Sequence, residues 1–190
     1  YGVADHVRVG RGDVRAIPAP AGSFDAVCCL GGPLSHVLAA AERADAAREL
    51  RRVATDGAPV LVSVMGLLAS ITRIMRHSGL VPPERDETEL LPALARTGDY
   101  DAALLDRFDR DPVAQQMHLF RVDEFESLLA DAGLAVETLA ALEGPFSQRR
   151  QDLDALTDAH REAVRETLAE LREDRQVVDS SAHMLAVCRA

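Results

Sequence analysis

A mostly parallel β-sheet wound with helices is the fold this sequence predicts, and three stretches predict it. Asp25–Leu30 (DAVCCL) is a continuous apolar run of buried-strand length, closed by Gly31-Gly32-Pro33. A helical period of Val37, Leu38, Ala41, Ala44, Leu50 and Val53 follows to about Ala54, with Ser35 placed to cap it. After the turn Thr55-Asp56-Gly57 comes a second buried run, Pro59–Val64 (PVLVSV). Strand, helix, strand with short connections is the βαβ unit, so the two runs should be parallel neighbours. The alternation then resumes. Asp123 and Glu124 open a helix that runs to about Asp131 and stops at Gly133, and Leu134–Leu142 reads as a strand.

The remaining stretches fall around that frame. His6–Arg11 alternates and is β-branched, so it reads as a short strand ended by Gly12-Asp13. Val14–Gly22 carries Pro18, Pro20 and Gly22 and makes a loop. Residues 66–118 suspend the alternation. Gly66–Arg76 is an apolar helix, followed by a Pro- and acid-rich stretch with helical pieces around Glu87–Arg96 and Asp101–Asp109. The segment reads as a helical insertion, a lid over one end of the sheet. Gln151–Arg175 reads as one long amphipathic helix whose stripe of Leu153, Leu156, Val164, Leu168 and Leu171 packs on the sheet. Ala182–Arg189 is the last strand. The length, 190 residues, suits a single domain.

Composition narrows the function. Hydrophobic residues make up 47% and charged residues 27%, a globular balance, and no apolar run is long enough to span a membrane. The net charge is −10, and all 21 basic residues are Arg, so no nucleic-acid partner is expected, because phosphate backbones call for clustered positive charge. The cysteines Cys28, Cys29 and Cys188 sit in apolar runs without C-x-x-C spacing. That suggests neither a zinc site nor a redox motif, and no metal is expected. An odd thiol count and the lack of a secretory leader point to the cytoplasm.

Three pieces in order carry a resemblance. They are Gly12-Asp13-Val14-Arg15-Ala16-Ile17-Pro18; then Ser23-Phe24-Asp25-Ala26-Val27 with Cys28–Leu34 and Ser35-His36; then Arg48–Val53 with Asp56-Gly57 and the strand behind it. Together they resemble the segment from the third to the fifth strand of the class I S-adenosylmethionine-dependent methyltransferases. Phe120–Gly133 with Leu134–Leu139 is similar to that family's later helix and sixth strand, and Ala182–Arg189 to its seventh. The resemblance implies a doubly wound, Rossmann-like α/β sheet with strand order 3-2-1-4-5-7-6, S-adenosyl-L-methionine as cofactor, and methyl transfer as the reaction. It implies that Asp13 and the Val14 amide hold the adenine, and that the backbone of Leu30, Gly31 and Gly32 faces the methionine part. The family's glycine-rich loop and ribose-binding acid cannot be placed, so the chain reads as beginning after the first two strands. Cofactor binding by residues 1–190 alone is expected to be weak.

Methyl transfer needs position and orientation more than an obligatory catalytic side chain, and a base helps only where the acceptor must lose a proton. His36, just beyond the first buried strand, and His118, just before the helix at Asp123, are the candidate acceptor-site residues. An apolar helix and an insertion point to a small-molecule acceptor under a lid. Two other readings stand beside this one: a non-catalytic methyltransferase-like binding module, and a nicotinamide-dependent oxidoreductase, whose G-x-G-x-x-G fingerprint is absent from these residues.

Overall fold

The computed structural model describes residues 4–78, 90–103, 116–144 and 154–190. Its centre is a four-stranded sheet in the order β1-β2-β6-β5, formed by β1 (Val27–Cys29), β2 (Pro59–Met65), β5 (Ala135–Ala141) and β6 (His183–Arg189). β1 and β2 are parallel, with Val27 opposite Val60 and Cys29 opposite Val62. β6 runs antiparallel to both β2 and β5. Three of the four strands therefore share one direction, as the βαβ reading requires. Between β1 and β2 lie a 3₁₀ turn over Pro33–His36 and the helix α1 (Ala40–Val53).

Strand alternation places the core. Val60, Val62 and Val64 of β2 lie opposite Cys188, Ala186 and Met184 of β6, and all six are fully buried. They form one apolar cluster with Ala46 and Leu50 of α1 and with Phe125 and Leu129 of α4 (Val122–Asp131). Leu61, Leu185 and Val187, on the opposite face, are only half-buried among the described residues. α4 ends where expected, at Gly133 with φ 82°. Its start is capped from elsewhere in the chain. The buried Asp179 carboxylate accepts from the Val122 amide at 2.9 Å and pairs with Arg121 at 2.6 Å. Burial alone would push Asp179 up; the bonds from Arg121 and Val122 outweigh it, and its carboxyl lies below the ordinary aspartate range.

The segment after β2 builds a small core of its own. α2 (Leu67–Ser78) and α3 (Leu90–Thr97) meet around Leu67, Leu90, Leu94, Tyr100 and Leu119. A pairing of two short strands follows, β3 (Asp99–Tyr100) with β4 (Met117–His118), which the sequence pattern does not foreshadow. Most of the expected helix over 101–109 lies outside the described residues.

Three expectations are corrected. His6–Arg11 forms no strand: Ala4–His6 is a 3₁₀ turn and the rest is irregular and exposed, Val9 at 94%. A strand needs a neighbour's hydrogen-bond ladder, and no described strand lies beside it. Ser35 does not cap α1; it is buried, and its Oγ accepts from the Met65 amide at 2.9 Å, so the helix proper starts later, at Ala40. The single long helix expected over 151–175 is broken among the described residues, at 155–157 and again at 172–174. Thr157 caps α5 (Asp158–Leu171), and the Asp174 carboxylate folds over the amides of Gln176 and Val177 to start α6 (Arg175–Asp179). No residue of α5 is buried and Leu171 is 40% exposed, so its stripe does not pack on the sheet as expected.

Two measurements follow. Asp179→Ala removes the cap of α4 and leaves the buried Val122 amide without its partner, so denaturant unfolding should show a loss of about 1–3 kcal/mol with unchanged m-value. The second concerns His183, whose Nδ1 bonds Glu143 at 2.5 Å and whose pKa that bond raises above 6.5. Glu143 lies below 4.5: burial pushes it up, but its bonds and the His183 charge outweigh this. The His183 contribution is present in full below 6.5 and is lost as pH rises through the folded value; that of Glu143 is lost as pH falls through its folded value below 4.5. Thermal stability should therefore be modestly highest between those values, and His183→Gln should flatten its decline on the alkaline side.

Candidate functional site

β1, β2 and β5 all end at the same edge of the sheet, and the antiparallel β6 begins there. At the end of β1 the chain turns through Gly31 and Gly32, with φ 84° and 76°, values that favour glycine. Two hydroxyls hang this turn on β2. The Gly31 amide donates to the buried Ser63 at 3.0 Å, and the Met65 amide donates to Ser35. Gly31 has open space on the side where a Cβ would stand.

Beside β1 lies the loop that carries Asp13. Arg15 ties it down: its backbone amide, Nε and a terminal nitrogen all donate to the Asp13 carboxylate, at 2.7 to 3.2 Å. These bonds hold Asp13 down to about 2. Arg15 also reaches Glu42 of α1 at 2.6 Å. Further along, the Ile17 amide donates to Glu49 of α1 at 2.8 Å, and Arg52 donates to the carbonyls of Ile17 and Ala19. The loop is thus laid along α1. Between it and β1 opens a cleft of about 800 Å³, bounded by Asp13, Val14, Ile17 and Pro18 on the loop, Val27 to Cys29 on the strand, and Pro33 and His36 beyond the turn. Asp13, Val14 and His36 of the sequence-predicted residues line it directly, while Leu30, Gly31 and Gly32 form the turn at its end.

A mostly parallel sheet of order β1-β2-β6-β5, with the last strand of the chain reversed between β2 and β5, is now matched by a ligand-sized cleft at the carboxyl end of β1. The structure of a SAM-dependent methyltransferase from Methanosarcina mazei is similar over 94% of this chain and 64% of that one, with TM-score 0.54 and 15% sequence identity. The chain has the fold of the S-adenosylmethionine-dependent methyltransferases. It spans 64% of the length of the Methanosarcina mazei structure. An S-adenosylmethionine-dependent methyltransferase from Mesorhizobium loti is similar over 95% of this chain and 68% of that one, at 16% identity and TM-score 0.49. No family model and no curated protein sequence matches the chain. In this methyltransferase fold β1, β2, β6 and β5 take the order the resemblance implies for the fourth, fifth, seventh and sixth strands.

The second histidine sits differently. His118 is 3% exposed, away from the lining of the cleft. Its Nδ1 meets Asp99 and its Nε2 meets Glu124, each at 2.7 Å, and its ring stands edge-on to Phe120 at 4.6 Å. Burial would push Glu124 up, but the bond to His118 and the charges of His118 and Arg43 hold it below the ordinary glutamate range. Sequence reasoning missed Arg43. It is buried, lies over the Phe120 ring at 5.7 Å, approaches Glu124 at 3.5 Å, and donates to the carbonyls of Val37 and Leu38. The signal was present: Arg43 stands on the same helical stripe as Ala46, Ala47 and Leu50, where an apolar residue would be expected.

Thiol chemistry checks the geometry. Cys28 is exposed at the cleft, whereas burial holds Cys29 and Cys188 inside and pushes both thiols up to about 11. Native labelling with a maleimide should stop at Cys28, and denaturation should release the other two. Peptide mapping that finds Cys188 labelled as fast as Cys28 would contradict the placement of β6.

Proposed function

We propose that this chain acts as an S-adenosylmethionine-dependent methyltransferase domain on a small-molecule acceptor, with the cofactor's adenosine in the cleft between the Asp13 loop and β1. The observation that carries this reading is the cleft itself. It joins an acid and an apolar slot to the carboxyl end of the strand where an open α/β sheet takes its ligands. Val14, Ile17, Pro18 and Val27 offer a purine two apolar walls. Asp13 is the acceptor for the exocyclic amine and the Val14 amide the donor to the ring. A carboxylate has about four lone-pair directions, and Arg15 makes four bonds to this one. The amine therefore takes the place of an Arg15 bond, and the contact of Nε with Oδ2 at 3.2 Å is the longest of them. The turn at Leu30, Gly31 and Gly32 carries the backbone that faces the methionine part; open space beside Gly31 supports this.

When bound, the cofactor supplies a methyl group already activated by its sulfonium. The chain's own task is then to orient the acceptor and keep water out. Residues 66–118 act as the acceptor-side wall and lid. In support, α2 starts directly at the end of β2, and the Gln116 carbonyl meets His36 at the cleft. The acidic balance of the chain favours a small acceptor over a nucleic acid.

Calorimetry with S-adenosylhomocysteine on the whole protein that carries these residues tests the assignment. Asp13→Ala should weaken binding by about 2- to 12-fold, the equivalent of about 0.5–1.5 kcal/mol for one hydrogen bond. The same ligand should slow maleimide labelling of Cys28. Unchanged affinity in Asp13→Ala together with unprotected Cys28 would place the cofactor elsewhere or remove it from this chain.

A further inference from the structure

The two histidines named as candidate acceptor-site residues are joined by a short path of bonds, and the path gives them different tasks. His36 Nδ1 lies 3.0 Å from the backbone carbonyl oxygen of Gln116. A carbonyl oxygen only accepts, so the ring proton is on Nδ1 and the lone pair of the neutral imidazole is on Nε2. The ring is exposed and lines the cleft, and no described residue bonds Nε2.

Gln116 immediately precedes β4, a strand of two residues that pairs with β3. Backbone bonds from Leu119 to Gly98 and from Phe120 to Met65 hold the chain just after β4, and His118 adds a side-chain tie to Asp99 on β3 and Glu124 on α4. Each nitrogen of His118 is taken up by a carboxylate oxygen at 2.7 Å, so neither is open to a molecule in the cleft. The other partner of the bond is anchored to the same carboxylate. Arg43 approaches Glu124 and donates to the carbonyls of Val37 and Leu38, the two residues that follow His36. Glu124 thus holds the Gln116 side through His118 and the His36 side through Arg43.

We infer that His36 is the proton acceptor of the cleft, working through Nε2, and that the His118–Glu124–Arg43 cluster is a positioning device that keeps Nδ1 committed to Gln116. The inference rests on the reading of the cleft as a methyl-transfer site, and it specifies the acceptor's class: a molecule whose attacking atom must lose a proton, such as an alcohol, a phenol or a protonated amine. In the step assigned to His36, the O–H or N–H bond of the acceptor breaks, its electron pair stays on the oxygen or nitrogen, and the proton goes to Nε2, leaving an imidazolium whose other proton remains shared with Gln116.

The test reads the tautomer itself and needs neither cofactor nor acceptor. Two-bond ¹H–¹⁵N correlation spectra of the ¹⁵N-labelled chain, recorded well above the ordinary histidine titration range, should show His36 with its proton on Nδ1. Diethyl pyrocarbonate should then carbethoxylate His36 at Nε2. In His118→Gln and in Glu124→Gln the His36 ring should move to a mixture of tautomers, and its carbethoxylation should slow several-fold. Where His118→Gln fails to fold, Asp99→Ala removes the same anchor at its β3 end and should give the same shift. His36 with its proton on Nε2 in the unmodified chain, or a tautomer that none of these variants moves, would overturn the inference. Calorimetry with S-adenosylhomocysteine on the whole protein that carries these residues separates the two readings: absent cofactor binding with an Nδ1–H tautomer defeats the methyltransferase assignment alone, and binding with the wrong tautomer defeats this inference alone.

Discussion

The last strand of the chain determines whether the sheet exists as one piece. β6 pairs with β2 over seven residue pairs, from Pro59 opposite Arg189 to Met65 opposite His183, and its other edge carries β5. Among the described strands, β5 joins β2 in the hydrogen-bonded sheet only through it. Its register is defended by alternation. A slip of one residue would turn Met184, Ala186 and Cys188 out of the core and bring His183, Leu185 and Val187 in, exchanging three fully buried apolar side chains for a set containing an imidazole. The junction with β2 is equally tight. The Gly66 amide donates to the Ala182 carbonyl, and a Cβ at Gly66 would stand 2.1 Å from the Ser181 carbonyl oxygen, so only glycine can lead the chain from β2 into α2 there. The edge at which the cleft opens is aligned by this pairing.

That edge is also where the chain buries several polar groups, and these have found partners. Ser63 and Ser35 exchange bonds between the glycine turn and β2, Asp179 closes the open end of α4, and Glu124 joins His118 to Arg43. Buried ion pairs contribute little net stability, because desolvation offsets their attraction, but losing one partner leaves an uncompensated charge. Their consequence here is positional. Elements far apart in sequence, α1, the paired strands β3 and β4, and α4, are held in one arrangement around Phe120, and the mouth of the cleft inherits that arrangement.

What could be read in advance follows from how local each signal is. The apolar runs at 25–30 and 59–64 and the helix between them are set by consecutive residues, and β1, α1 and β2 appear where those runs lie, although of the first run only Cys29 is buried. The stop of α4 at Gly133 is equally local. The segment His6–Arg11 has the alternation of a strand yet forms none, because alternation states which face could be buried and not whether a neighbour is present to bury it. The stripe of α5 fails in the same way: Val164, Leu168 and Leu171 have the spacing of a packed face but lie half-open or exposed. Thr157 and Asp174, residues that favour helix starts, were legible as caps and divide what periodicity alone had joined.

The sequence by itself determined the class of fold, the direction of the βαβ unit, and the loop and turn that flank the cleft, because each rests on residues within a few positions of one another. The tertiary structure alone decided that β6 runs antiparallel to β2 and β5, that Ser35 serves β2 rather than α1, and that Arg15 already occupies the carboxylate of Asp13. It alone separated His36, exposed at the cleft with one nitrogen committed to Gln116, from His118, enclosed by two carboxylates. The two residue names are identical in the sequence. What divides them is hydrogen bonding across 80 residues in one case, and burial between a short strand pair and a helix in the other.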